Sequence, residues 1–91
     1  MIYIYAVHKN AETDVIERVK YTDYFGYMKD YEATKRDMIS YINAHPYTVK
    51  TMYRRGSSWV SGEYVHVVDN EYLRTDANHK REDNLGELIE Y

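Results

Sequence analysis

Thr34 to Pro46, TKRDMISYINAHP, is the stretch of this sequence in which apolar residues recur at helical spacing. Met38, Ile39 and Ile42 fall on one stripe with Tyr41 beside them, which predicts a helix of about three turns laid on a sheet. Thr34 stands at the N-cap position and Asp37 at N3, a weaker capping box because Asp is shorter than Glu. Pro46 ends the helix by excluding His45 from helical geometry. With one helix available, the rest of a 91-residue core must come from strands.

Strand patterns flank the helix on both sides. Met1 to Val7 carries β-branched and aromatic residues on both parities, so it belongs in the centre of a sheet. "KNAET" is a turn, and "DVIERVKY" returns as a second, half-exposed strand in hairpin order. Thr22 to Ala33, with aromatic residues at 24, 25, 27 and 31 around Gly26, fits neither period and reads as an aromatic-rich loop. After the helix, "YTVKTMYR" alternates as a third strand, "RGSSWVSG" reads as a turn region, and "EYVHVVD" is a fourth strand. "DN" before Glu71 signals a tight turn that pairs a short fifth strand, "YLRT". The expected fold class is α+β: one domain over residues 1–91, in ββ-α-βββ order, with one helix on a small antiparallel sheet of about five strands.

A chain of this length hides roughly 60–65% of its unfolded surface, and the absence of cysteine removes disulfides and thiolate metal sites as supports. Good packing, or association with a second copy of the chain as a homo-oligomer, must supply the stability. Lack of cysteine also agrees with a reducing cytoplasm. The N-terminal apolar run is too short for a membrane span and lacks the basic lead of a signal peptide. A net charge of −3, with both signs mixed, argues against duplex nucleic acid as a partner. Twelve tyrosines against one Phe and one Trp suit a small core, an interface or a ligand cleft.

Sites with chemistry are sparse. His8, His45, His66 and His79 show no metal-ligand spacing, and for His66, in a strand, a hydrogen-bonded structural imidazole is the simpler role. Ser40, Ser57, Ser58 and Ser61 lie in no nucleophile elbow, and no phosphate loop or dinucleotide fingerprint exists. No enzyme activity and no cofactor are expected. Arg54 and Arg55 before Gly56, flanked by Tyr53 and Trp59, form a different pattern. Guanidinium forks match phosphate oxygens, a glycine turn lets backbone amides approach an anion, and neighbouring rings stack on a base. A solvated basic hairpin turn is the plainer explanation.

The ending "YLRTDANHKREDNLGEL" resembles the motif Y-[LI]-R-T…DNL of a family of small bacterial and phage proteins catalogued as a domain of unknown function. "IYAVHK", "TKRDMISYIN" and "VHVVD" align upstream in order. The ending is also similar to that of the Thoeris anti-defence one proteins, phage sponges that sequester cyclic ADP-ribose signals. The resemblance implies an oligomeric α+β domain that binds a nucleotide-like signal without catalysis. It places Arg74, Thr75 and the DNL residues Asp83, Asn84 and Leu85 at the motif positions. Ile89 stands where that family has proline, and "RRGSSWVSG" replaces a more glycine-rich turn.

For Arg74 the alternative is an ion pair with Asp76 or Asp83 that closes the loop, and for Asn84 a side-chain cap of its own turn. The leading expectation is a phage-type binding protein of the host cytoplasm that captures a cyclic nucleotide or ADP-ribose-derived signal. Arg74, Arg54 and Arg55 would take phosphates, Tyr53 or Trp59 would stack on the base, and Thr75 and Asn84 would meet polar edges. The second expectation is a tyrosine-rich interaction module that inhibits a host protein, with the direction in which Tyr24, Tyr27, Tyr31 and Tyr47 point deciding between a flat patch and a ligand cleft.

Overall fold

The computed structural model describes residues 1–23, 30–75, 82–86 and 88–91. The chain forms β1 (Ile2–Lys9), β2 (Ile16–Thr22), β3 (Tyr31–Thr34), α1 (Lys35–Ala44), β4 (Val49–Arg55), β5 (Ser58–Tyr64), β6 (His66–Val68), β7 (Tyr72–Arg74) and β8 (Ile89–Glu90). This is an α+β fold with one helix. The main sheet runs β3-β2-β1-β4-β5, with β8 also on β1, and β6-β7 form a separate ribbon.

As its composition requires, β1 is central. It pairs antiparallel with β2 on one side and parallel with β4 and β8 on the other, so the sheet is mixed rather than wholly antiparallel. The parallel pairing follows from α1. β3 runs antiparallel to β2 and hence in the direction of β1, and a helix is the usual crossover that returns the chain to a parallel strand. Tyr31 to Thr34, at the end of the expected aromatic loop, joins the sheet as β3 because Tyr31 pairs with Tyr21 and their rings stack at 5.4 Å. Thr22, expected to open that loop, instead ends β2, and residues 24–29 lie outside the described residues.

Two irregularities in the β1–β2 ladder set the core. The register steps past Tyr5 on β1, between Ile4↔Tyr21 and Ala6↔Lys20, and past Glu17 on β2, between His8↔Arg18 and Lys9↔Ile16. Each extra residue is a β-bulge, which turns the following side chain to the opposite face. Ile4 and Val7, three apart, therefore share one core with Ile16 and Val19, also three apart. Val49, Leu73 and Leu85 complete it beneath Met38, Ile39 and Ile42 of α1. Tyr5, Ala6 and Met52 form a second, smaller cluster with Tyr3 and Trp59 at its margin.

The helix starts and stops as its sequence dictates. Thr34 Oγ1 accepts the Asp37 amide at 3.1 Å, and His45 is the C-cap before Pro46. Tyr41 is exposed, its ring tilted against that of His45 at 4.8 Å, while Lys35 is buried in its place. The tight turn at Asp69–Asn70 has both residues at positive φ, the signature of a type I′ turn, and pairs β6 with β7. The expected turn "RGSSWVSG" contracts to Gly56 and Ser57. Gly56 sits at φ +64, and Trp59 and Val60, good strand formers, extend β5. A further shift between Lys50 and Met52 bulges β5 near Gly62 and separates it from β6.

Candidate functional site

The YLRT…DNL ending folds as a clasp built around Asp83. Its Oδ2 accepts from Lys35 Nζ at 2.8 Å and from the Ile16 amide at 3.0 Å, and its Oδ1 accepts from the Leu73 amide at 2.9 Å. One carboxylate thus ties the start of β2, the first residue of α1 and β7 together. The Lys35 and Asp83 side chains are only 11% and 6% exposed, and the Lys35 ammonium lies 5.3 Å from the Tyr72 ring centroid. No periodicity signals Lys35, because its burial depends on an acid 48 residues away.

Arg74 and Asn84 belong to the same clasp. Arg74 is 3% exposed and Leu73 is fully buried. Both faces of β7 are therefore covered, Leu73 by the core and Arg74 by the returning segment, where its Nη1 donates to the Glu82 carbonyl at 2.8 Å. Asp83 is engaged by Lys35 rather than by Arg74, and Asp76 lies outside the described residues. The Asn84 amide donates to the Leu73 carbonyl at 2.8 Å, and the Asn84 carbonyl accepts from the Thr75 amide at 2.9 Å. Asn84 Oδ1 accepts from the Gly86 amide at 3.1 Å, which is the local cap its side chain was able to form.

Beside the clasp lies a cleft of about 410 Å³ between β4, β5 and Leu85, Gly86 and Leu88, within the size range of small-molecule sites. Tyr53, Arg54 and Thr75 line it together with Ser61, Glu63, Leu85 and Gly86. The clasp and the cleft meet at Thr75, whose amide and hydroxyl both reach the Asn84 carbonyl. The floor is close-packed: a Cβ on Gly62 would stand 2.1 Å from Thr51 Oγ1. Of the arginine–aromatic group, Tyr53 and Arg54 reach this cleft. Arg55 is exposed next to the hairpin turn, outside the lining. Trp59 packs elsewhere, edge-on to Tyr5 at 6.1 Å with the Arg54 guanidinium 5.7 Å from its ring centroid. That contact engages the guanidinium itself, at the exposed hairpin end.

A second cleft, about 690 Å³, adjoins the first, with Glu63 and Thr75 in the lining of both. Its other walls come from the C-terminal turn of α1, the Pro46–Tyr47 turn and the β5–β6 junction. Tyr47, Tyr64 and Glu63, three of its residues, stand out in no sequence motif. Single aromatic residues after a proline or at a strand end carry no period.

At the opposite edge, Tyr91 packs on the sheet beside β2. Its ring tilts against His8 at 5.5 Å, the Lys20 ammonium lies 4.7 Å from its centroid, and His8 Nδ1 donates to its backbone oxygen. Partial burial and then a hydrogen bond with the Glu32 carboxylate push its phenol up to about 12. Arg18 Nη2 bonds Glu32 Oε1 at 2.8 Å, and this hydrogen bond first, then that of Tyr91, lowers the Glu32 carboxyl below its ordinary value.

Among the described residues no group of three or more His, Asp or Glu side chains is placed to hold a metal ion, and no helix is long and apolar enough to cross a membrane. His79 lies outside the described residues. Residues 3–89 match the model of the family described as "Protein of unknown function (DUF3892)", and the chain belongs to that family. No curated protein and no solved structure matches it.

Proposed function

We propose that this member of the DUF3892 family is a non-catalytic binding protein that captures a nucleotide-derived signal, such as a cyclic nucleotide or a cyclic ADP-ribose. The biological role would be the blunting of a host immune response by a phage-type protein in the cytoplasm. The observation that carries this reading is the meeting of Tyr53, Arg54 and Thr75 on one cleft. A guanidinium supplies bidentate donors to phosphate, the Thr75 hydroxyl supplies a polar edge contact, and the tyrosine ring supplies an apolar wall. Arg55, one residue on, is exposed at the hairpin end and lies outside this lining, so its part in holding a phosphate is secondary to that of Arg54. Arg74 and Asn84 act one step back, by fixing Thr75 and the 84–86 turn that forms the cleft's rim. With a net charge of −3, long-range attraction does not help an anion to arrive, so affinity must come from these local contacts.

Calorimetric titration with a panel of cyclic mononucleotides, cyclic dinucleotides and cyclic ADP-ribose isomers tests the reading. A ligand bound more tightly than about 10 μM, roughly −7 kcal/mol, supports it, and the absence of any such ligand removes it. Arg54→Ala should abolish that binding with only a small fall in the thermal midpoint, since the side chain is exposed and gives up a single contact with Trp59.

A second reading, an interaction module that inhibits a host protein, is favoured by the exposed Tyr41, Tyr47 and Tyr64. A pull-down from infected host lysate that recovers one partner, lost on Tyr47→Ala and Tyr64→Ala, would select it over the first.

A further inference from the structure

We propose that the larger cleft is a subsite for a nucleobase, with Tyr47 and Tyr64 as its stacking walls. This deepens the nucleotide-capture reading and rests on it for the phosphate-bearing part of the ligand.

The first observation is a backbone one. Tyr47 follows Pro46 and sits at φ +61, in the left-handed region that residues with a Cβ, and bulky ones above all, avoid. Such a conformation is ordinarily held by glycine or asparagine at the end of a helix. Yet the Tyr47 side chain is 78% exposed, so burial of its ring does little to offset the strain. A strained backbone that presents an aromatic ring to a cavity is a pre-organised contact awaiting its partner.

The second observation is the geometry of the ring pair. Tyr47 and Tyr64 stand edge to face, with centroids 6.0 Å apart and planes at 87°. A planar heterocycle can stack on one of them while meeting the edge of the other. The Lys50 ammonium lies 4.6 Å from the Tyr64 centroid and steadies that ring. The cleft volume of about 690 Å³ exceeds the need of one base and leaves room for a sugar.

Charge then decides which part of a nucleotide lies here. The cleft is bounded by the last turn of α1, whose C-terminal carbonyls carry negative partial charge, and by the Glu63 carboxylate, while the nearby Lys50 ammonium is engaged over the Tyr64 ring. Phosphate is disfavoured at such a place, whereas the N–H edge of a base and the hydroxyls of a ribose are welcome. Glu63 lines both clefts, where it can accept from ribose hydroxyls as an acid does in dinucleotide-binding folds. The ligand is therefore ordered along the groove, base at Tyr47 and Tyr64, sugar at Glu63, phosphate at Arg54.

The test is an NMR titration of the full chain with adenosine, ribose 5-phosphate and AMP as probes, read at assigned tyrosine-ring and backbone resonances. Adenosine should shift Tyr47 and Tyr64, ribose 5-phosphate should shift the Arg54 and Thr75 region, and AMP should shift both. Tyr47→Gly removes the ring and relieves the strained backbone. It should weaken AMP at least about tenfold, the effect of one lost stacking partner, without lowering the thermal midpoint. Tyr47→Phe should retain binding. If about 10 mM adenosine leaves Tyr47 and Tyr64 unmoved, or if Tyr47→Gly and Tyr64→Ala bind AMP as the parent protein does, the subsite is overturned whatever happens at Arg54. If adenosine seats on the tyrosines while no phosphate-bearing probe reaches Arg54, the subsite stands and the nucleotide-capture reading falls.

Discussion

Asp83→Ala offers the most demanding test of how this chain is held together. The substitution strands the Lys35 ammonium, 2.8 Å from the missing oxygen, and the amides of Ile16 and Leu73 at 3.0 and 2.9 Å. Removing one partner of a buried ion pair costs about 3–5 kcal/mol, and an orphaned buried N–H about 1–3 kcal/mol, though such terms do not simply add. A domain of 91 residues has roughly 5–14 kcal/mol in all, so a loss of about 4–6 kcal/mol would leave it near its folding threshold. Urea unfolding followed through the fluorescence of the single tryptophan, Trp59, measures the change. Lys35→Met should cost about half as much, because Asp83 keeps both amide donors. The Lys35→Met/Asp83→Asn double variant should lose less than the sum of its singles by at least about 1 kcal/mol. A loss below about 1 kcal/mol for Asp83→Ala, with an unchanged urea slope, would refute the clasp as a stabilising element.

Other expectations follow from single contacts. Arg74→Ala should cost about 1–3 kcal/mol in the same urea assay, since it removes a charge-assisted bond to the Glu82 carbonyl from a buried site. Gly62→Ala should destabilise by about 1–3 kcal/mol through its collision with Thr51 Oγ1, and Thr51→Ala should restore part of that loss. Thr34→Ala removes the N-cap acceptor for the Asp37 amide and should lower stability by about 1 kcal/mol. The phenol of Tyr91 is raised to about 12, so the folded state holds this proton more tightly than the unfolded chain does. Its contribution is full below about pH 10, the ordinary phenol value, and fades as pH rises from there through about 12. The fall in thermal midpoint over that window should be shallower in Tyr91→Phe. Glu32 works in the opposite direction. Its lowered carboxyl contributes above the ordinary carboxylate range, and that contribution is lost as pH falls through its folded value.

What the sequence disclosed and what it hid follow from the range of each interaction. The α1 boundaries were legible because Thr34, Asp37 and Pro46 act within a few residues of themselves. The central place of β1 was legible because apolar residues on both parities require cover on both faces. The I′ turn at Asp69–Asn70 was legible from its dipeptide. The bulges at Tyr5 and Glu17 were not, because they correct one strand against another and leave no mark on either alone. Lys35 looks like an ordinary surface charge, and Asp83, weighed as a partner for Arg74, meets Lys35 only when the fold brings them together. The arginine–aromatic group was visible as a cluster in sequence, but a hairpin sends neighbours to opposite faces. Tyr53 consequently reaches the cleft while Trp59 packs against Tyr5. Tyr47 was visible as a tyrosine suited to a partner surface or a cleft, but its left-handed backbone is a property of the turn after Pro46.

The partners of β1 also impose an order on biosynthesis. One side of this strand is closed by β2, only a few residues downstream, but the other is shared between β4 at Ile2–Ile4 and β8 at Ala6–Val7. On the ribosome, a hairpin of Ile, Val and Tyr residues must wait with one edge bare until residues 49–51 and then 89–90 have emerged. Closure of such distant contacts slows folding and prolongs the time a sticky edge is available to other chains. Crowded, rapid synthesis should therefore favour aggregation, and slower translation or a chaperone that shields β1 should raise the soluble yield.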